Sequence, residues 1–128
     1  MKTDILIVED EPAIMESLEF ILKRCGWTVG LARDGDAALE AAHRCRPRMM
    51  LLDIMIPRRS GLDVLREMRA DEALRGTAVL MLTARGQHYD RQAALDLKAE
   101  GFITKPFANT DVVAAVRRVL DPALPLGA

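Results

Sequence analysis

Short, nearly continuous apolar runs recur along the chain at Ile5–Val8, Thr28–Leu31, Met49–Leu52, Ala78–Leu82 and Phe102–Ile103. Each is too short for a helix and lacks strict alternation, the pattern of a strand buried on both faces. The segments between them carry helical spacing instead. Ile14, Leu18, Ile21, Leu22 and Cys25 fall at i, i+4, i+7, i+8 and i+11, while Leu62, Leu65 and Met68 repeat every three residues, so both stretches read as amphipathic helices. A last helix over about 110–120 places Val112, Val113, Val116 and Leu120 on one side, with Arg117 and Arg118 toward solvent in the last turn, where cations complement the helix dipole.

Boundary residues support these elements. Asp10 is placed to cap the first helix with Pro12 in its first turn, Ser60-Gly61-Leu62-Asp63 has the form of a capping box, and Asn109 is a cap for the last helix. Strand and helix alternate throughout, which predicts parallel strands joined by right-handed crossovers: a three-layer α/β domain with helices on both faces of an open sheet. The domain is expected over residues 1–121. Residues 122–128, with two prolines and a glycine, read as a C-terminal tail or the start of a linker, with no output domain after it.

Composition adds bounds. A chain of 128 residues is enough for one domain with its own core. The balance of 18 basic against 19 acidic residues gives no overall field for a polyanion, so nucleic acid is not favoured as a direct partner. No run approaches the roughly 18 apolar residues of a membrane span, and the start carries no targeting signal, so no membrane partner and a soluble, cytoplasmic protein are expected. Cys25 and Cys45 have no second Cys or His at ligand spacing and read as reduced, buried thiols. The basic cluster Arg44, Arg46 and Arg48 lies before the third run, at the edge where the strands begin, and with Arg58-Arg59, His43 and His88 it reads as solvated surface.

Ligands of an open parallel sheet bind beyond the carboxyl ends of its strands. There the sequence places Glu9, Asp10 and Glu11 after the first run, Asp53 after the third, Thr83 after the fourth, and Lys105 with Pro106 after the fifth. Each has an ordinary role taken singly, as a cap, turn former or snorkelling side chain. Together they crowd carboxylates at one sheet edge, which raises each other's pKa unless a cation sits among them. Mg²⁺ suits such a site because it takes carboxylate oxygens, keeps several waters and admits phosphate oxygens. With Lys105 supplying charge from the other side and the Thr83 hydroxyl donating a hydrogen bond, a transferring phosphoryl group would be neutralised, and Asp53 is the natural nucleophile, forming an acyl phosphate without a general base.

The motifs Ile7-Val8-Glu9-Asp10-Glu11-Pro12, Leu52-Asp53-Ile54-Met55-Ile56-Pro57 with Gly61, Thr83-Ala84, and Lys105-Pro106-Phe107, in this order and spacing, resemble response regulator receiver domains over residues 3 to about 120. The resemblance implies a flavodoxin-like (βα)5 sheet of order 2-1-3-4-5 and phosphorylation of Asp53 by a sensor histidine kinase or a histidine phosphotransfer protein of a two-component system. It implies Mg²⁺ bound by Asp10, Asp53 and the Met55 carbonyl with Glu9 nearby or acting through water, a cis Lys105–Pro106 peptide, and Thr83 and Lys105 holding the phosphoryl oxygens. Such a domain is a phosphoacceptor that catalyses its own phosphorylation and dephosphorylation, not an enzyme acting on a separate substrate. Its switch would couple Thr83 to Phe102, whose ring turns inward and remodels the surface of the fourth helix, fifth strand and fifth helix. There a downstream protein of unknown identity would bind, or a weak homodimer form.

Departures bear on particular positions. Lys98 stands where many members carry glycine, which implies a differently shaped turn. Ala115 and Leu97 replace a charged pair that crosses the dimer in the transcription-factor subfamily, although Arg91 and Asp111 could still pair. Met55 and Arg85 occupy positions that tune the phosphorylated lifetime, and Tyr89 is placed to shape a partner surface. Two rival readings are a binding module indifferent to phosphorylation and an aspartyl-phosphate phosphatase. The second would need a carboxylate two residues after the nucleophile, where Met55 stands. The chain could also be one part of a longer regulator.

Overall fold

The computed structural model describes residues 2–84 and 88–121, with the backbone alone of His88 and Tyr89. The expectations for Arg85, for the His88 and Tyr89 side chains, and for the tail at 122–128 lie outside the described residues. The elements alternate as β1 (Ile5–Val8), α1 (Pro12–Arg24), β2 (Val29–Ala32), α2 (Gly35–Cys45), β3 (Met49–Asp53), α3 (Gly61–Ala70), β4 (Ala78–Thr83), α4 (His88–Asp96), β5 (Gly101–Thr104) and α5 (Asn109–Leu120). All strand pairs are parallel, as the alternation of elements predicted, and their order β2-β1-β3-β4-β5 is the one the family resemblance implied.

Alternation along each strand divides the core in two. Ile5, Ile7, Met49 and Leu51 pack with Leu18 and Leu22 of α1 and with Val112, Val116 and Leu120 of α5. Leu6, Val8, Met50 and Leu52 point to the opposite face, against Ala38, Ala41 and Ala42 of α2, Val64, Leu65 and Met68 of α3, and Ala94 of α4. β1 and β3 are completely buried along their apolar length, which is why their sequence is a continuous hydrophobic run.

The caps depart from expectation in two places. Glu11, not Asp10, occupies the N-cap of α1, because Pro12 is already in the first helical positions, and no side chain caps that end. Asn109 is the first residue of α5, not its cap, and its side chain pairs with Ser17 of α1 instead. Ser60 does cap α3, accepting from the Asp63 amide. Asp34 caps α2 in the same way through the Ala37 amide.

Several loops are pinned by groups read from sequence as plain surface. Arg58 and Arg59 in the β3–α3 loop pair with Asp34 and Asp36 at the start of α2, and Arg59 also pairs with Glu67. These ion pairs, with the Gly35 amide donating to the Pro57 carbonyl, fasten the loop that follows Asp53. His43 is exposed as expected but meets Asp71 at 3.0 Å. Cys25 and Cys45 are free and only half-buried. Lys98 adopts φ of 62°, the left-handed conformation that glycine takes at least cost, so the turn before β5 is formed with a lysine in the glycine conformation. Around it the guanidinium of Arg69 donates to the carbonyls of Leu97, Lys98, Arg75 and Thr77, tying the ends of α3 and α4 together.

Candidate functional site

Parallel register carries the polar residues that follow each apolar run to a single edge of the sheet. Val8 pairs with Leu52, Asp53 with Leu82, and Thr83 with Thr104, so Glu9, Asp53, Thr83 and Lys105 emerge side by side. Glu9, Asp10 and Asp53 bring one carboxylate oxygen each within 4.8 Å of one another. Glu9 and Thr83 are fully buried and Asp53 is 5% exposed, whereas Asp10 faces solvent.

Lys105 organises the cluster. Its ammonium lies 2.7 Å from Asp53 Oδ2, 2.9 Å from Glu9 Oε2 and 3.7 Å from Glu11 Oε1. Direct pairing of Glu9 with Lys105 was not foreseen from sequence, which placed Glu9 only near the metal. The adjacency of Glu9 to the first strand's end was the available signal. Glu9 Oε2 rests on that ion pair without a well-aligned hydrogen bond, while Oε1 accepts from the Glu11 amide at 3.2 Å. Burial pushes the Glu9 carboxyl up to about 7, against the lowering effect of Lys105 and with a further push from the Asp53 charge. Burial alone would lower the Lys105 pKa, but the Asp53 and Glu9 carboxylates outweigh it and hold the ammonium above its ordinary value.

The loop after Asp53 closes on the carboxylate. The Met55 amide donates to Asp53 Oδ1 at 3.0 Å, while the Met55 side chain is 68% exposed. The Gly61 amide donates to the Ile54 carbonyl at 2.8 Å, and a Cβ at Gly61 would collide with the Asp53 carbonyl. Gly61 is therefore required by the close approach of α3 to the residue that bears the acid. Lys105–Pro106 is cis. Phe102 is half-buried against the core on the α3–α4 side, and the Arg91 guanidinium lies 4.9 Å from the centre of its ring. Within one chain, therefore, Arg91 is stacked on that ring, and no Arg91–Asp111 ion pair occurs among the described residues.

The donor set suits a hard divalent cation: all three acids offer oxygen, and the exposed Asp10 leaves the cluster open on one side. The Thr83 hydroxyl, buried beside the cluster, has no hydrogen-bond partner among the described residues. A buried hydroxyl left unsatisfied is costly, and its place at the strand end fits an oxygen-rich ligand arriving at Asp53.

A family model for the response regulator receiver domain matches residues 5–117. The probable transcriptional regulatory protein TcrX of Mycobacterium tuberculosis is 40% identical over 116 residues, which make up 91% of this chain and 49% of TcrX. The transcriptional regulatory protein DltR of Streptococcus agalactiae is 44% identical over 113 residues, 88% of this chain and 50% of DltR. The chain thus spans about half the length of the curated relatives it matches. Among solved structures, the chemotaxis response regulator CheY4 of Vibrio cholerae is similar with a TM-score of 0.86 and 27% identity, covering 94% of this chain and 100% of CheY4. The receiver domain of the sensor histidine kinase PA1611 of Pseudomonas aeruginosa, solved with a magnesium ion coordinated in its active-site cleft, gives 0.83 and 31%, covering 93% and 98%.

Proposed function

The chain belongs to the response regulator receiver domain family, and from that premise we propose that Asp53 accepts a phosphoryl group from a sensor histidine kinase or a histidine phosphotransfer protein. The observation that carries this reading is the Asp53 carboxylate, 5% exposed at the sheet edge, 2.7 Å from a lysine and next to a buried hydroxyl that has no partner among the described residues. An Asp53 oxygen attacks phosphorus; its O–P bond forms as the N–P bond of the phosphohistidine breaks, and the departing imidazole nitrogen keeps the electron pair. Lys105 transfers its ion pair from the carboxylate to a phosphoryl oxygen, and the Thr83 hydroxyl donates to another. A magnesium ion held by Asp10, Asp53 and the Met55 carbonyl, with Glu9 beside it, would supply positive charge against the same oxygens.

Occupation of Thr83 by the phosphoryl group would draw its side chain toward Asp53 and open space beneath Phe102. The surface of α4, β5 and α5 is then the output face, for a downstream protein or a second copy. Two of the relatives carry the name of transcriptional regulators, which supports a DNA-binding element as the recipient of the signal. The near-neutral charge argues against nucleic-acid contact by this span alone; it does not argue against such a recipient. We take residues 1–121 as the receiver unit.

The test is labelling with acetyl [³²P]phosphate in magnesium. The expected product is a hydroxylamine-sensitive acyl phosphate, absent from Asp53→Asn. Label that resists hydroxylamine, or that persists in Asp53→Asn, would overturn the assignment.

A further inference from the structure

The opposite end of the sheet has the opposite charge. A groove of about 620 Å³ there is lined by Lys2, Arg44, Arg46 and Arg48, together with Pro47, Thr77 and neighbouring small residues, with no acid among the described lining residues. The chain as a whole carries a net charge of −1, so this concentration of cations is local. The dipole of α2 accounts for one of them, since Arg44 lies in the last turn of that helix. It does not account for the rest.

Arg46 is the telling residue. It sits at the C-cap of α2 with φ of 47°, a conformation that glycine or asparagine adopts at lower cost. Its Nε donates to the His43 carbonyl at 3.1 Å, which fixes the direction of the guanidinium. Among the described residues neither Nη of Arg46 has a protein partner, and the Lys2 ammonium has none either. Arg48 is held by Asp4 at 3.4 Å and by the Leu120 carbonyl at 3.0 Å, and Arg44 by Glu40 at 3.4 Å. The groove therefore combines anchored guanidinium groups with N–H donors that lack an acceptor.

We propose that this groove binds a phosphate-bearing anion of mononucleotide size. Its volume falls in the range of small-ligand sites. Guanidinium forks match phosphate oxygens two by two, and Arg46 and Lys2, unpaired among the described residues, supply positive charge beyond that of Arg44 and Arg48, which Glu40 and Asp4 offset. Pro47 and Ala73 give an apolar wall for the uncharged part of the ligand, and the Thr77 hydroxyl adds a donor. The site is separate from the acidic cluster. Arg48 immediately precedes β3 and Asp53 ends it, a separation of roughly 15 Å for a strand of this length.

Calorimetric titration with ATP, pyrophosphate and inorganic phosphate, in chelator so that the acidic end cannot recruit a metal–nucleotide complex, tests the assignment. The expected result is saturable 1:1 binding of ATP that is unchanged in Asp53→Asn and at least tenfold weaker in Arg44→Gln/Arg46→Gln. Pyrophosphate binding as tightly as ATP would overturn the mononucleotide assignment, because the apolar wall would then contribute nothing. Arg46→Gly deletes the guanidinium while relieving the positive φ, so binding lost in a variant that melts no lower than the parent excludes a folding artefact. The absence of saturable binding, or equal binding by the double variant, would overturn the proposal. So would a poly-glutamate peptide that binds as tightly as ATP with the same dependence on Arg44 and Arg46, because the groove would then be a docking face for an acidic protein.

Discussion

Thr83 buries its hydroxyl completely and leaves it without a hydrogen-bond partner among the described residues. Thr83→Val keeps the shape and removes the orphaned group, so we expect the unphosphorylated protein to gain about 1 kcal/mol, read as a higher Tm, while the phosphorylated form loses its coupling to the Phe102 surface. A lower Tm would mean that the hydroxyl is satisfied in solution. Glu9 is the second residue whose environment decides its behaviour. Its carboxyl has a folded value of about 7 against an ordinary 4.5. Between those values the folded chain holds a proton that the unfolded chain has lost. Its contribution to stability therefore declines as pH rises through this window, and the full cost stands above it. In chelator, Glu9→Gln should gain Tm relative to the parent on going from about pH 5 to about pH 8; a constant difference would show that Glu9 does not titrate there. The acids and Lys105 were legible in the sequence because they directly follow apolar runs. The pairing of Glu9 with Lys105 was not, since it depends on which carboxylate burial leaves nearest the ammonium.

At the scale of elements, the sequence gives the strands by their apolar runs and misses their ends by a residue or so. Asp53, Thr83 and Thr104 belong to β3, β4 and β5 although polar side chains hide them from a hydrophobic pattern. The helix starts at Asp10 and Asn109 were misplaced because other forces claim those residues. Pro12 sets the start of α1, and Asn109 finds a partner on the neighbouring helix. The β3–α3 connection shows how closely elements constrain the site: Gly61 lies against the Asp53 carbonyl, and Arg58 and Arg59 clamp the same loop to α2. Gly61→Ala should cost about 1–3 kcal/mol by overpacking and slow phosphorylation of Asp53, because the backbone bearing the acid must shift to make room. Urea unfolding together with the rate of acetyl phosphate labelling checks both parts. Unchanged values would show that the loop yields without disturbing Asp53.

The whole molecule is an open parallel sheet whose two ends carry different chemistry. Carboxylates, Thr83 and Lys105 gather where the strands finish, and cations gather where they begin. That arrangement follows from topology: parallel strands deliver the residue after every apolar run to one edge, while helices running back across the sheet end at the other. The sequence contained the first of these consequences in its motifs. It contained the second in part, since Arg44, Arg46 and Arg48 directly precede the third run, while Lys2 and Thr77 join them only through folding. The central claim is that Asp53 is a phosphoryl acceptor whose chemistry depends on the acidic cluster around it. Intact mass tests it most directly, on protein incubated with acetyl phosphate and magnesium beside a chelated sample and an Asp53→Asn sample. The account predicts the addition of one phosphoryl group in the first sample and none in the other two. An equal gain in all three, or no gain in any of them with phosphorylated histidine kinases as donors as well, would contradict it.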